Sequence, residues 1–239
     1  MARVRVAGRG YQVPFLSERT IEGEAQLLLD EWAEAGRPAV TEPPVPIEDI
    51  LEMHLELGFF LADLRSELGH PDVLGGIWFG DRMIKVDQSL DPSASPKLLG
   101  RYRFTIAHEV GHWRLHRQYL MKDPETKSLF EVGGGPAFVQ RSSVKPPEEF
   151  QADMFAACVL MPRQTVYDAW EQWRGSDEAV AISDLEVGDY HGNRKADEEM
   201  AMERFCKPLA QRFEVSAQAM RLRLQMLELL VETVRPRLF

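Results

Sequence analysis

Cysteine is scarce in this 239-residue chain: Cys158 and Cys206 are the two present, far apart and in no CxxC or comparable spacing. That excludes a disulfide scaffold, fits a reducing compartment and leaves both thiols as small core residues. Long apolar runs are missing too. No stretch of eighteen apolar residues occurs, and the opening MARVRVAGRGYQVPF has arginines but no continuous apolar segment. Neither a membrane span nor a secretory signal is therefore expected, and the chain reads as a soluble cytoplasmic protein with no membrane partner. Positive charge is in deficit, with 28 Lys and Arg against 38 Asp and Glu for a net charge of −10. This argues against sequence-independent binding to phosphate backbones and suits a basic partner protein better. Internal repeats and low-complexity tracts are also missing.

What is present suffices for a globular core, since 44% of the residues are hydrophobic. Ile21, Ala25, Leu28, Trp32 and Ala35 recur at helical spacing, and Gly36 with Pro38 supplies the stop. RPAVTEPPVP, residues 37 to 46, holds four prolines in ten residues and reads as a stiff linker. The expected division is an N-terminal helical extension over 1–45 and a main domain over 46–239. In that domain, PIEDILEMHLELG predicts a short helix and FFLADL a strand. GGIWFGDRMIKVDQ predicts a hairpin over 74–87 with Gly80-Asp81 at its turn. SPKLLGRYRFTIAHEVGHWRLHR predicts a long helix despite Gly100, LFEVGGGPAFVQ a Gly-turn hairpin, and Pro146-Pro147 the start of a second long helix that ends by Pro162. The final third is mostly helical: TVYDAWEQWRG, then an acidic loop, then a C-terminal helical segment over 201–235.

The chemistry lies in FTIAHEVGHWRLH, residues 104 to 116. On a helix, His108 and His112 stand one turn apart on one face and can aim both imidazoles at one point, the geometry of a zinc site. Glu109, about 100° round the helix, can reach a water there without filling a coordination position and so serves as the general base. A chance HExxH in a chain of this length is expected roughly one or two times in a hundred. Apolar neighbours Phe104, Ile106, Ala107, Val110 and Trp113 weaken the alternative of solvated helix histidines further, because buried imidazoles need partners.

Two histidines leave a zinc short of a ligand. Gln118 stands where an HExxHxxGxxH pattern needs histidine, and His116 lies too far along the helix to close the same tetrahedron, so it reads as a supporting or packing residue behind the ligands. The third ligand falls to Glu149, which shares a helical face with Ala152, Asp153 and Ala156; the alanines permit close approach of the two helices. Glu148, about 100° away, is the rival ligand. Asp153, one turn on, can accept the outer N–H of a ligating histidine and orient it. Tyr119, Tyr190 and His191 are able to steady an oxyanion, with nothing in the sequence to place them near the metal. The hairpin over 74–87 reads equally as a substrate-binding edge or as a core strand pair.

RFTIAHEVGHWRLH followed by EEFQADMFAACVLMP resembles the paired signature of the ImmA/IrrE metallopeptidases, a gluzincin-like HExxH family, most strongly over 46–165. The resemblance implies an α+β fold, a mainly helical zincin-like domain with a small antiparallel β-sheet packed on the HExxH helix. It also implies His108, His112 and Glu149 as zinc ligands, Glu109 as the catalytic residue and a helix-turn-helix repressor as protein substrate in stress-response or mobile-element regulation; carboxylate and imidazole donors also accept Mn2+ in place of zinc. Residues 1–45 have no counterpart in it, and 174–200 look like an insertion.

Two other readings compete. LAQRFEVSAQAMRLRLQML has the cadence of a DNA-binding helix-turn-helix, with Ser216 as N-cap and Arg221 and Arg223 on the recognition helix. Against direct nucleic-acid binding, Glu214 occupies the turn where glycine is expected, and acidic residues flank the segment. The other is a zinc-binding regulator that senses without turnover.

Overall fold

The computed structural model describes residues 13–120, 136, 138–141, 146–185 and 194–232. The chain divides into two compact units, one made of residues 1–40 and 45–160, the other of 41–44 and 161–239. The break therefore does not fall where the prolines suggested. The amphipathic N-terminal helix belongs with the motif helix, because both its apolar face and its charges are used there.

In the first unit, α1 (Glu18–Glu34) starts at Ser17, whose side chain accepts from the Thr20 amide, and stops at Gly36 with φ +81°. Ile21, Ala25, Leu28 and Trp32 are buried as expected; Ala35, the C-cap, is exposed. Arg114 of the motif helix grips Glu31 of α1 through both guanidinium nitrogens, at 2.7 and 3.0 Å. A fork of this kind fixes orientation as well as distance, and it holds the Glu31 carboxyl below the usual range despite partial burial.

A short helical turn, Ile47–Asp49, widens into a π-turn over Ile50–His54. Then come β1 (Gly58–Ala62), α2 (Leu64–Leu68), β2 (Val73–Trp78) and β3 (Met83–Asp87). The strands β2 and β3 pair antiparallel as the hairpin pattern predicts, but the turn takes four residues, with Arg82 rather than glycine at positive φ. The sheet is mixed, not antiparallel. Its order is β1-β3-β2-β4, with β1 parallel to β3 and β4 (Phe138–Arg141) antiparallel to β2. The reason is that β1 and β2 are joined through α2 instead of a tight turn, so β1 runs alongside the far strand of the hairpin. Most of the Gly-turn hairpin expected over 129–140 lies outside the described residues; β4 is its described part.

The motif helix α3 (Leu99–Gly111) continues as a π-turn over His112–His116 and a final α-turn to Leu120. It packs on β2, β3 and β4 on one side and on α4 (Pro147–Leu160) on another, and α4 also carries α1. Arg103 anchors its start, donating to Glu48 and to the Val45 carbonyl.

The second unit holds α5 (Arg163–Arg174), β5 (Val180–Ala181), α6 (Arg194–Phe213), α7 (Ala217–Met226) and β6 (Leu230–Val231), with β5 and β6 parallel. Trp170 is its buried centre, edge-on to Trp173 and Phe205. The loop expected before Met200 is shorter than anticipated, since α6 already begins at Arg194; 186–193 lie outside the described residues. The expected helix through 235 ends at Met226, because Glu228 takes φ +57° and the apolar residues after it pair as β6. Glu214 does sit in a left-handed turn, φ +54°, and Ser216 caps α7 by accepting from Ala219. Cys158 and Cys206 are both buried. Among the described residues no helix is long and apolar enough to cross a membrane.

Candidate metal centre

The site is built where α3 and α4 touch. Gly111, inside the HExxH sequence, is what lets them meet: a Cβ there would stand 3.2 Å from both Cα and O of Ala152 and 3.2 Å from Cβ of Phe155. Ala152 and Ala156 supply the small surface on the other helix, as their shared face implied, but the contribution of Gly111 was missed. A Gly111→Ala variant has to push backbone away from backbone. It is expected to lose about 1–3 kcal/mol of stability and to weaken metal uptake, both measurable by thermal melting and chelator competition.

This approach brings His108, His112 and Glu149 together, all buried, with one donor atom of each within 4.8 Å of the others. The closest separations are 3.1 Å between the two Nε2 atoms, 3.1 Å from His108 Nε2 to Glu149 Oε2 and 3.3 Å from His112 Nε2 to Glu149 Oε1. Bonds of about 2.0–2.1 Å in a tetrahedron put ligand atoms about 3.3–3.4 Å apart; each pairwise separation here is close to that, with the two imidazoles meeting different oxygens of Glu149. Glu148 is only partly buried and is not in this cluster.

Outer contacts orient both rings. His108 Nδ1 donates to Asp153 Oδ1 at 2.9 Å, the role expected for Asp153, and this leaves Nε2 for the centre. His112 has His116 behind it, Nδ1 to Nδ1 at 2.8 Å, and His116 is outside the cluster of three donors. Two further residues of the site were not legible beforehand. Phe138 of β4 lies flat on the His112 ring, centroids 3.9 Å apart and planes 11° from parallel. Gly75 of β2 passes directly over Glu109, where a Cβ would stand 2.6 Å from Thr105 Cγ2 and 3.0 Å from Glu109 Oε1.

Protonation follows from burial and these partners. Burial alone would pull His108 down, but its bonds to Asp153 and Glu149 outweigh that and raise it to about 10. Burial lowers His112 to about 4 and, helped by His112, lowers His116 to about 3. Glu149 is held well below the carboxylate range: burial opposes this, and its bonds to the two histidines win. In the cluster without a metal, then, the proton on His108 Nε2 stands where a cation would go, so metal uptake releases a proton and strengthens with pH.

Glu109 differs from all of these. It is fully buried, and neither carboxylate oxygen has a hydrogen-bond partner among the described residues. Burial pushes it up to about 8, with the His108 charge working against the shift. A buried carboxylate without a partner is costly, and a neighbouring dication together with a water would remove that cost. The donor set and the orphaned carboxylate both fit a metal ion.

The hairpin does not offer an edge. Its strands β2 and β3 are the two inner strands, so the core-pair reading holds and the outer positions belong to β1 and β4. Tyr119 is partly exposed near the end of the motif helix; Tyr190 and His191 lie outside the described residues.

The model of a family described as the IrrE N-terminal-like domain, Peptidase M78, matches residues 94–225. Among solved structures, a Mycobacterium tuberculosis transcriptional regulator is similar at 15% identity and a TM-score of 0.45, over 87% of this chain and 57% of that one. No curated protein matches the chain.

Proposed function

The chain belongs to the IrrE N-terminal-like domain family, Peptidase M78, and on that premise we propose that it is a zinc-dependent endopeptidase of the cytoplasm that cuts a helix-turn-helix transcriptional repressor at a specific bond. One observation carries the reading: three buried donors gathered within 4.8 Å of one another beside a carboxylate that has no hydrogen-bond partner among the described residues.

His108, His112 and Glu149 would hold the ion. Its contribution when bound is to polarise a carbonyl oxygen and acidify a water. Glu109 takes a proton on its carboxylate and returns it to the leaving amine. Burial raises its affinity for that proton, to about 8 with the His108 charge opposing and without a metal ion, and a bound cation would bring it down toward neutral pH, where both transfers are within reach. Asp153 and His116 hold the two imidazoles in place while this happens. Carboxylate and imidazole donors also accept manganese, so availability shares in the choice of ion.

The repressor as substrate rests on the family resemblance and on charge. A chain of net charge −10 is complementary to a basic DNA-binding protein. The rival reading, direct DNA recognition by α7, loses its cations: Arg221 and Arg223 are both buried, Arg221 facing Glu203 at 3.7 Å and Arg223 donating to the Met161 carbonyl at 3.0 Å. Neither is presented to a phosphate or a base edge.

Protein purified without chelators is expected to carry about one zinc per chain. Co-expression with candidate helix-turn-helix repressors is expected to yield one discrete pair of repressor fragments that a cell-free assay reproduces and that a chelator prevents. Zinc-loaded protein that leaves every such repressor intact removes the substrate assignment, and protein that takes up no divalent ion removes the enzyme as well.

A further inference from the structure

The two ligating histidines are supported differently. His108 has a carboxylate on its outer nitrogen; His112 has a row of neutral groups. His112 Nδ1 lies 2.8 Å from His116 Nδ1, His116 Nε2 lies 3.0 Å from Gln151 Oε1, and the Gln151 amide nitrogen donates to the Pro14 carbonyl at 3.0 Å. His112, His116 and Gln151 are all buried, Gln151 at 5% exposure, so water does not compete for the two bonds among them, while the Gln151–Pro14 bond is partly buried.

The direction of every bond follows from the far end of the row. A proline carbonyl only accepts, so the Gln151 nitrogen faces it and Oε1 faces His116. An amide oxygen also only accepts, so His116 Nε2 carries a proton, and in a neutral ring Nδ1 is then bare. A bare Nδ1 on His116 calls for a proton on His112 Nδ1. Neutral His112 is left with its lone pair on Nε2, the atom that meets His108 and Glu149. Reversing any one bond would turn an N–H toward the place of the ion.

We infer that Gln151 and the Pro14 carbonyl are positioning elements of the metal centre, so that the segment ahead of α1 sets the tautomer of His112 through His116. The inference rests on the metal reading proposed above. It gives a role to part of the N-terminal stretch and explains why α1 is clamped to the motif helix by Arg114: the clamp keeps the Pro14 end of the row in register.

Two full-length variants test it, with zinc and cobalt affinities from chelator competition, the cobalt absorption spectrum, metal-free melting and hydrogen exchange over residues 13–17. Gln151→Met keeps the side-chain length and removes both acceptor and donor. It is expected to weaken metal binding by about 10–100-fold and to shift the cobalt bands, while the metal-free protein stays folded. Gln151→Glu keeps the acceptor for His116 but sets a carboxylate against the Pro14 carbonyl. It is expected to stay within about threefold of wild type in metal affinity, well short of the loss of an orienting partner, while exchange over 13–17 speeds up.

Gln151→Met binding metal as tightly as a zinc-competent wild type overturns the inference and leaves the peptidase reading standing; a wild type that binds no zinc removes both. If Gln151→Met does not fold, Gln151→Glu decides alone. Faster exchange with metal affinity retained supports the row, and unchanged exchange or metal affinity lost overturns it.

Discussion

Substituting Glu109 with Gln is expected to lower peptide hydrolysis by about 10²–10⁴-fold while zinc uptake persists, and to make the metal-free protein more stable. The first effect follows from position: Glu109 is not among the three clustered donors, and it is the carboxylate beside them with no competing hydrogen bond among the described residues. The second follows from linkage. The ordinary value for a glutamate is 4.5, and burial raises it to about 8 in the fold. Below about 4.5 the carboxyl is neutral both folded and unfolded, so it costs nothing electrostatically. Between 4.5 and 8 the unfolded chain ionises while the folded one resists, and wild type loses stability progressively; above about 8 the loss is complete and level. Glutamine does not titrate, so the gap in melting temperature between Glu109→Gln and wild type, both without metal, is expected to widen from pH 4.5 to 8 and then hold. A gap independent of pH would mean that Glu109 is not held in a dry, unpartnered position. Full activity in Glu109→Gln would remove it as the proton carrier.

Glu149→Ala is expected to strip the metal, and Glu148→Ala to leave it. The two are adjacent in sequence and differ by about 100° round α4, yet only Glu149 places its oxygens 3.1 and 3.3 Å from the histidine nitrogens. Losing it removes one of three protein donors and leaves the centre with the two imidazoles alone. The loss in affinity should exceed the about 10–100-fold that follows removal of an orienting partner. Chelator competition on both variants separates them. If Glu148→Ala is the one that loses zinc, the face of α4 turned to the site is wrong, and with it the role of Asp153 one turn further on.

How far the site could be read in advance depended on the range of the forces involved. His108, Glu109 and His112 sit on one helix, and Glu149 and Asp153 on another, so helical periodicity alone assigned their faces. Apolar spacing did the same for Ile21, Ala25, Leu28 and Trp32. Errors gathered where distant segments meet. The sheet was expected to be antiparallel, and β1 turned out parallel to β3, because strand order depends on which partner remains available after the hairpin closes. That same order made β2 and β3 inner strands and withdrew them as a substrate edge. Helix ends were misjudged at Arg194 and Met226, where tertiary pairing overrode local pattern.

The sequence by itself determined the residue pattern of the site: a glutamate between two imidazoles one turn apart, and an acidic residue on a second helix whose small face could come close. Backbone geometry imposes these relations over three or four residues, whatever the rest of the chain does. Only the tertiary structure decided that Gly111 is the point of contact, that Phe138 and Gly75 close over the site, and that His112 is oriented through His116 and Gln151 to Pro14. Those last bonds join residues 35 and 137 positions apart. No periodicity reaches that far, and such partners meet only after hydrophobic burial has brought α1, α3 and α4 together.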